Sequence, residues 1–215
     1  SPVELQDRFE EGQELYALGA YDKAIERYEV ILSTESNAMI NVEEVTVSVD
    51  EFILPVRVGA TYQLGNTYNK LGLEKLQRSM FLRAEKKDAE ADERYEEALR
   101  DLNQSRDYFR NLAVNELVEE RTRVMAQYQM IQTSYQLKDY EQVIEEGDAL
   151  LENFPHSLYE ASVFYDKAWS YFELEQYEEA IKSFEQVLIL APRGSNADRS
   201  LFQISESYEK LERYD

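Results

Sequence analysis

The sequence contains no cysteine, and glycine and proline are scarce. Its 215 residues include seven Gly and four Pro, and none of these lies between Gly72 and Gly147. The absence of Cys excludes disulfides, thiol catalysis and thiolate metal sites. A stretch of this length without either helix-breaking residue predicts helices.

Long hydrophobic runs are also missing from the chain. The longest extends from Val187 to Ala191, far below the ~18 apolar residues of a membrane-spanning helix. We therefore expect no direct membrane insertion. With 43% hydrophobic and 31% charged residues, the composition is typical of a folded globular protein.

Basic residues are few relative to acidic ones, and the formal net charge is −21. Such a chain is repelled by the polyanionic backbone of nucleic acids, so we expect no nucleic-acid partner. Two interpretations of the acidity stay open: recognition of a basic partner, or a set of solvated helix faces.

The residues that usually form catalytic or metal sites are almost absent. The single histidine, His156, lies beside Pro155, whereas metal sites of carboxylate and imidazole usually need more than one His. No Ser-His-Asp set, Gly-rich phosphate loop or HExxH motif is present. We predict no enzyme activity, no catalytic residues, no cofactor and no metal site.

The chain repeats itself at a period of 37 residues. The phrase QYEEAIKSFEQVLILAP, from Gln176 to Pro192, is echoed by AYDKAIERYEVIL, from Ala20 to Leu32. Apolar side chains within each phrase recur at i, i+3 and i+4, which predicts consecutive helices. Three sets of residues keep the period: Tyr140, Tyr177 and Tyr214; Pro155 and Pro192; and Tyr128, Tyr165 and Phe202.

These repeats resemble the tetratricopeptide repeat (TPR), a helix–turn–helix unit. In the segment from Glu160 to Pro192 the family positions are met by Phe164, Ala168, Tyr171, Tyr177, Ala180, Phe184 and Pro192. In the segment from Asp7 to Leu32 they are met by Gly12, Leu15, Gly19, Tyr21, Ala24 and Tyr28. A third segment supplies Gly65, Tyr68 and Gly72.

The resemblance implies an all-α, right-handed superhelical solenoid of about four and a half units in a single domain. We expect units at about 5–38, 58–112, 124–157, 161–194 and 198–215, the last truncated after its first helix. The 37-residue step is also similar to a bacterial envelope subgroup that includes the outer-membrane assembly lipoprotein BamD and the Tol-Pal-associated protein CpoB. That similarity favours a periplasmic or envelope-associated location, although the compartment stays open.

Two segments depart from the repeat. In the irregular loop 34–56, Val45, Val47 and Val49 alternate with polar residues, which predicts extended structure. This segment is either a long connecting loop or an arm that lies in the groove or pairs with a partner strand. The insertion 73–93 carries Leu73, Leu76, Met80 and Ala84 at helical spacing and predicts either one long helix to about Leu112 or a protruding helical hairpin.

The first helix of each unit is expected to line a concave face, and aromatic side chains recur there. Positions separated by four and seven residues share one face of a helix, and aromatic rings with a polar edge suit protein recognition. The alternative interpretation is that these rings pack between neighbouring helices. The candidate partner-binding residues are Phe9, Tyr16, Tyr62, Asn66, Asn69, Tyr128, Gln132, Tyr135, Tyr165, Trp169, Phe172 and Phe202, and Trp169 is the best candidate for an anchor.

The sequence therefore predicts a non-catalytic scaffold that binds a peptide or a partner protein, as one region of a larger assembly protein. An alternative function is a helical accessory domain of an enzyme whose catalytic part lies outside this chain. The oligomeric state stays open.

Overall fold

The computed structural model describes residues 1–36 and 41–214, so residues 37–40 of the predicted loop and the last residue of the predicted 198–215 unit lie outside it. The first half contains α1 (Pro2–Ala17), α2 (Tyr21–Ser33), a 3-10 turn (Val42–Glu44), β1 (Thr46–Val49), β2 (Phe52–Pro55), α3 (Val56–Ala84) and α4 (Asp88–Ala113). The second half contains α5 (Glu120–Gln136), α6 (Tyr140–Asn153), α7 (Glu160–Glu173), α8 (Tyr177–Leu190) and α9 (Ala197–Tyr214).

The chain divides into two compact units, Ser1–Ala126 and Gln127–Asp215, with the boundary inside α5. Each unit is built from helices that pack antiparallel against their neighbours in sequence. The prediction of an all-α architecture of paired helices is confirmed, with the β1–β2 hairpin as an added element.

Within a helix pair, a small residue on the first helix makes room for a ring on the second. A Cβ atom placed at Gly12 would lie 2.6 Å from Cε1 of Tyr28, and one at Gly65 would lie 2.7 Å from the ring of Phe109. Ala168 and Phe184 pack together in the same way in the α7–α8 pair. These close contacts explain why the repeat needs a small residue at this position.

The α5–α6 pair has the reverse order of residue sizes, and a side chain from α7 lies beside its glycine. Ile131 occupies the small-residue position, and Gly147 replaces the aromatic residue. A Cβ atom at Gly147 would lie 2.9 Å from Cγ and Cδ of Lys167, so the lysine stem fills the space beside the glycine. The ammonium group of Lys167 pairs with Asp148, which satisfies the charge of this largely buried side chain.

The turns between paired helices share one backbone conformation. In four pairs the second residue after the first helix has a positive φ, and the following N–H donates to the carbonyl five residues earlier. This is the Schellman geometry, which satisfies the free carbonyls at a helix C-terminus. The residues are Gly19 (φ 74°), Lys86 (φ 62°), Lys138 (φ 58°) and Glu175 (φ 60°).

Residues 46–55 of the predicted loop form a β-hairpin. Strand β1 pairs antiparallel with β2, with Val47 opposite Leu54, so the strand partner belongs to the same chain. Val45, Val47 and Val49 are 5%, 7% and 1% exposed, because the alternation places all three on the face that packs against the helices.

The predicted insertion lengthens two helices into a helical hairpin. Helix α3 spans 29 residues and α4 spans 26, with the turn at Glu85–Lys87 between them. The Ser79 hydroxyl donates to the carbonyl of Ala91 at 2.7 Å, which joins the two arms near their tip. Met80 lies outside this contact and is 74% exposed, because Ser79 and Leu82 take the buried positions there.

Candidate functional site

Helices α7 and α9 of the second unit border a cleft of about 450 Å³. Each of them is the first helix of a repeat. Four aromatic rings form the walls of the cleft, and three polar side chains lie among them. We call it the open cleft and define it by its lining residues: Tyr135, Tyr165, Asp166, Trp169, Arg199, Phe202 and Gln203. Both walls are helical, so the side chains project from rigid backbone.

Trp169 is held at the centre of an aromatic cluster. Its ring makes edge contacts with Phe184 at 5.8 Å, Phe172 at 5.9 Å and Tyr165 at 6.3 Å between centroids. The indole is half-buried, with the cluster on one side and the open cleft on the other. It therefore offers a large apolar surface whose orientation is already fixed, as in the aromatic anchors of protein interfaces.

Helix α9 contributes the exposed wall. Phe202 is 63% exposed, although it lines a cavity with three other aromatic side chains. Arg199 is also exposed, and the adjacent Tyr165 hydroxyl raises the pKa of its guanidinium group. Gln203 also lines the cleft, but unlike Phe202 and Arg199 it is buried, with only 5% of its surface exposed.

Asp166 is the most perturbed acid of the site. Burial raises the pKa of its carboxyl from the ordinary 3.8 to about 6, against the opposing effect of hydrogen bonds from Gln132 and Tyr128. Its Oδ2 atom is buried without a hydrogen-bond partner within residues 1–36 and 41–214. A desolvated carboxyl group with an unused acceptor, at the edge of a cleft, is a functional-site candidate.

The open cleft brings together Tyr135, Tyr165, Trp169 and Phe202 from the predicted set. Phe172 lies behind them, in contact with Trp169. Tyr128 and Gln132 lie next to the site and hydrogen-bond to Asp166. Gln132 Nε2 also donates to the Tyr128 hydroxyl at 2.7 Å. The rings of Tyr128 and Tyr159 stack at 4.6 Å.

The predicted residues of the first unit are placed differently. Phe9 is 1% and Tyr62 is 5% exposed, since Phe9 packs on Tyr28 and Tyr62 on Phe109. Tyr16, Asn66 and Asn69 are half-buried. The rings of Phe9 and Tyr62 therefore pack between neighbouring helices, which was the alternative interpretation of the sequence pattern.

Sequence reasoning missed Asp166, Arg199 and Gln203. The prediction considered positions at i, i+4 and i+7 from the aromatic residue. Position i−3 lies on the same helical face as the aromatic residue and holds Arg199, so the helical period was a signal that would have found it. Asp166 and Gln203 directly follow Tyr165 and Phe202, about 100° further around the helix, and the period does not indicate them.

Residues 1–36 and 41–214 contain neither a metal-ligand cluster nor a membrane-spanning helix. No group of three or more His, Asp or Glu side chains there is placed to hold a metal ion. None of the helices there is both long enough and apolar enough to cross a membrane. His156 is fully accessible in its loop, with 92% of the side chain exposed.

Comparison with known families identifies the repeat. Residues 161–193, which contain most of α7 and all of α8, match the tetratricopeptide repeat family. No curated protein matches the chain.

Solved structures of low sequence identity share the fold. The apo form of RapI is 14% identical with a TM-score of 0.59, covering 98% of this chain and 65% of its own. A MamA mutant is 18% identical with a TM-score of 0.51, and the match covers 98% of this chain and 90% of the MamA chain. A structure from Podosopora anserina, described as a kinesin light chain with nearly identical TPR-like repeats, is 14% identical with a TM-score of 0.53, covering 99% and 89%.

These likenesses confirm the predicted helical-repeat fold. At such identities they bear on the fold alone. The chain spans just under two thirds of the RapI chain.

Proposed function

We propose that the protein is a non-catalytic interaction scaffold that binds a segment of a partner protein in the open cleft. The observation that carries the proposal is the cleft itself, in which four aromatic side chains surround a cavity of about 450 Å³. Pockets of this kind, apolar with a few convergent polar groups, are typical binding sites. A rigid anchor such as Trp169 loses little conformational entropy on binding.

The charge of the second unit favours a basic partner. Residues 127–215 contain 18 acidic and seven basic residues, which gives a formal net charge of −11. A positively charged segment is attracted by this field, whereas an acidic one is repelled. Nucleic acid remains excluded from the proposal for the same reason.

The fold supports the same class of function, because helical repeats of the tetratricopeptide type generally serve as protein-interaction scaffolds. Three further parts of this proposal rest on the sequence. They are that the protein belongs to a larger assembly, that it is related to the bacterial envelope subgroup, and that it forms one solenoid of about four and a half repeat units.

The test compares two neighbouring residues of α9. Partners captured from the native organism by the purified protein are identified by mass spectrometry, and the affinity of each is measured by calorimetry. Phe202→Ala removes a cleft wall and should weaken binding by ~2 kcal/mol or more. Leu201→Ala is the matched control, because Leu201 is similarly exposed at 57% but does not line the cleft.

Both side chains are exposed, so neither substitution should lower the melting temperature much. Equal affinities for the Phe202→Ala variant, the Leu201→Ala variant and the unaltered protein would exclude the open cleft as the binding site. Catalytic turnover of a captured partner would contradict the scaffold function.

A further inference from the structure

The lining of the open cleft consists of an aromatic set and a polar set of side chains. The aromatic set is Tyr135, Tyr165, Trp169 and Phe202, and the polar set is Arg199 and Gln203, with the buried Asp166 beside them. Each set favours a different chemical group on a bound molecule, so the two together specify a class of ligand.

The aromatic set is suited to a cation. The rings of Tyr165 and Trp169 stand nearly perpendicular to each other, at 77° with 6.3 Å between centroids, so a group in the corner between them meets a π surface. Phe202 borders the same cavity from another helix. The negative faces of aromatic rings attract cations, and sites built from several rings recognise quaternary ammonium groups.

Asp166 decides which kind of cation fits. Its Oδ2 atom is buried, and its carboxyl group accepts hydrogen bonds from Gln132 and Tyr128. A primary ammonium group carries three N–H donors and would lose its water in the cleft without gaining a carboxylate acceptor, which costs free energy. A quaternary ammonium group has no N–H to satisfy, and the buried carboxylate still attracts it through space.

The polar set is suited to a carboxylate. Arg199 and Gln203 lie one turn apart on α9. The Arg199 guanidinium lies beside the Tyr165 hydroxyl and forms no ion pair within residues 1–36 and 41–214. The side-chain amide of Gln203, a residue only 5% exposed, forms no hydrogen bond with the described part of the chain. Buried polar groups are normally satisfied, and a guanidinium next to an amide donor is a good partner for a carboxylate.

Neither charge alone fits the whole lining, because Arg199 repels a simple cation and the acidic second unit repels a simple anion. We propose that the open cleft binds a small zwitterion whose quaternary ammonium group and carboxylate lie a few bonds apart, as in N-trimethylated amino acids. The ammonium group lies among Tyr165, Trp169 and Phe202, and the carboxylate accepts from Arg199 and Gln203. This inference goes beyond the proposed function, because the ligand is a free small molecule that would compete with the partner segment for the same walls.

Four small probes test the two halves of the proposal. The first is trimethylglycine, which carries both groups. Each of the others lacks one feature: the tert-butylacetate anion has the same shape without the positive charge, choline lacks the carboxylate, and glycine has a primary ammonium group. Binding is followed by the fluorescence of Trp169, the only tryptophan, and independently by calorimetry.

We expect trimethylglycine to bind saturably and the three other probes to bind at least about tenfold more weakly. Arg199→Gln should weaken trimethylglycine about tenfold without weakening choline, because only the former has a carboxylate to lose. Arg193→Gln is the matched control: it removes the same charge from the exposed loop after α8 and should change the affinity for trimethylglycine less than about twofold.

A second pair of variants tests the rings. Phe202→Leu keeps an apolar wall but removes the π face, so it should weaken trimethylglycine about fivefold and leave the affinity for tert-butylacetate nearly unchanged. Tyr208→Leu is its control, because Tyr208 is a ring on the same helix, 52% exposed, that does not line the cleft.

Binding of tert-butylacetate or choline as tightly as trimethylglycine would overturn the zwitterion proposal, and so would the absence of saturable trimethylglycine binding by both methods. A peptide carrying trimethyl-lysine that bound more tightly than trimethylglycine would assign the aromatic set to a modified partner and overturn it too. The Phe202→Ala measurement on the captured partner decides the proposed function separately, since that comparison uses no small ligand.

Discussion

At the scale of single residues, Gly12 and Gly65 of the first helices lie directly against aromatic rings of the second helices. Gly12→Ala would improve intrinsic helix propensity by about 1 kcal/mol. However, the new methyl group would lie 2.6 Å from Tyr28 Cε1, and the Tyr28 ring is completely buried. We expect a net destabilisation of roughly 1–3 kcal/mol from overpacking, measured by urea unfolding.

A double-mutant cycle separates the steric effect from propensity. In a Tyr28→Leu background the ring is gone, so Gly12→Ala should cost much less than it does in the unaltered protein. Equal costs in both backgrounds would show that the contact with Tyr28 does not determine the need for glycine.

Asp166 gives a prediction with a defined pH window. Its pKa rises on folding from 3.8 to about 6, so the folded state binds the proton more tightly than the unfolded state does. The carboxyl therefore carries no penalty below about pH 4 and its full penalty above about pH 6. Asp166→Asn should stabilise the protein on the order of 2 kcal/mol at pH 8 and have little effect at pH 4.

The measurement for this prediction is the difference in unfolding free energy between the Asp166→Asn variant and the unaltered protein across that pH range. Taking the difference removes the contribution of the other carboxyl groups. A difference that stays constant from pH 4 to pH 8 would contradict the assignment of a raised pKa to Asp166.

The same residue shows where sequence reasoning stopped. The aromatic members of the open cleft were predictable, because their ring size and helical spacing are visible in the sequence. Burial of Asp166 and Gln203 depends instead on how closely α5, α7 and α9 approach, which a one-dimensional pattern does not contain. Conversely, Phe9 matched the pattern as well as Tyr165 did, but β1 covers it.

At the scale of the elements, the turns between paired helices contain avoidable strain. Lys138 adopts φ 58° after α5, a region in which a side chain costs roughly 1–2 kcal/mol. Gly19 occupies the corresponding place after α1 without this cost. Allowing for the greater entropy of glycine in the unfolded chain, Lys138→Gly should stabilise the protein by about 0.5–1 kcal/mol.

Lys138→Ala is the control for this prediction, because it removes the same charge and leaves the Cβ atom in place. We expect it to give no gain in the unfolding free energy. If the alanine variant were as stable as the glycine variant, loss of the lysine charge would be the cause, and the backbone argument would fail.

The β1–β2 hairpin marks the limit of prediction at this scale. The alternation of Val45, Val47 and Val49 correctly indicated extended structure, since a period of two is characteristic of a strand. The pairing partner was not predictable, because β2 (Phe52–Pro55) is short and ends in a proline. The long α3–α4 hairpin was among the expected alternatives, and its turn at Glu85–Lys87 lacks the Gly or Pro that would have located it.

At the scale of the whole molecule, the repeat made the fold predictable. From Tyr128 onwards a period of 37 residues marks successive helix pairs, so each unit supports the interpretation of the next. The net charge of −21 leads to a further prediction. Association with a basic partner should slow by about tenfold between low and high salt, because screening removes long-range attraction.

Stopped-flow measurement of the association rate at several salt concentrations checks this prediction. The dissociation rate should change far less, because it depends on the contacts within the cleft. An association rate that does not vary with salt would mean that the acidic residues are only solvated helix faces, the alternative that the sequence leaves open.

The central claim is that a partner binds in the open cleft of the second unit, and one resonance tests it directly. Trp169 is the only tryptophan, so its indole N–H gives a single, assignable signal in a ¹⁵N-correlated NMR spectrum. On titration with the captured partner, we predict that this signal shifts or broadens in proportion to the bound fraction measured by calorimetry. An indole signal that stays unchanged while calorimetry shows saturation would place the binding site elsewhere and contradict the account.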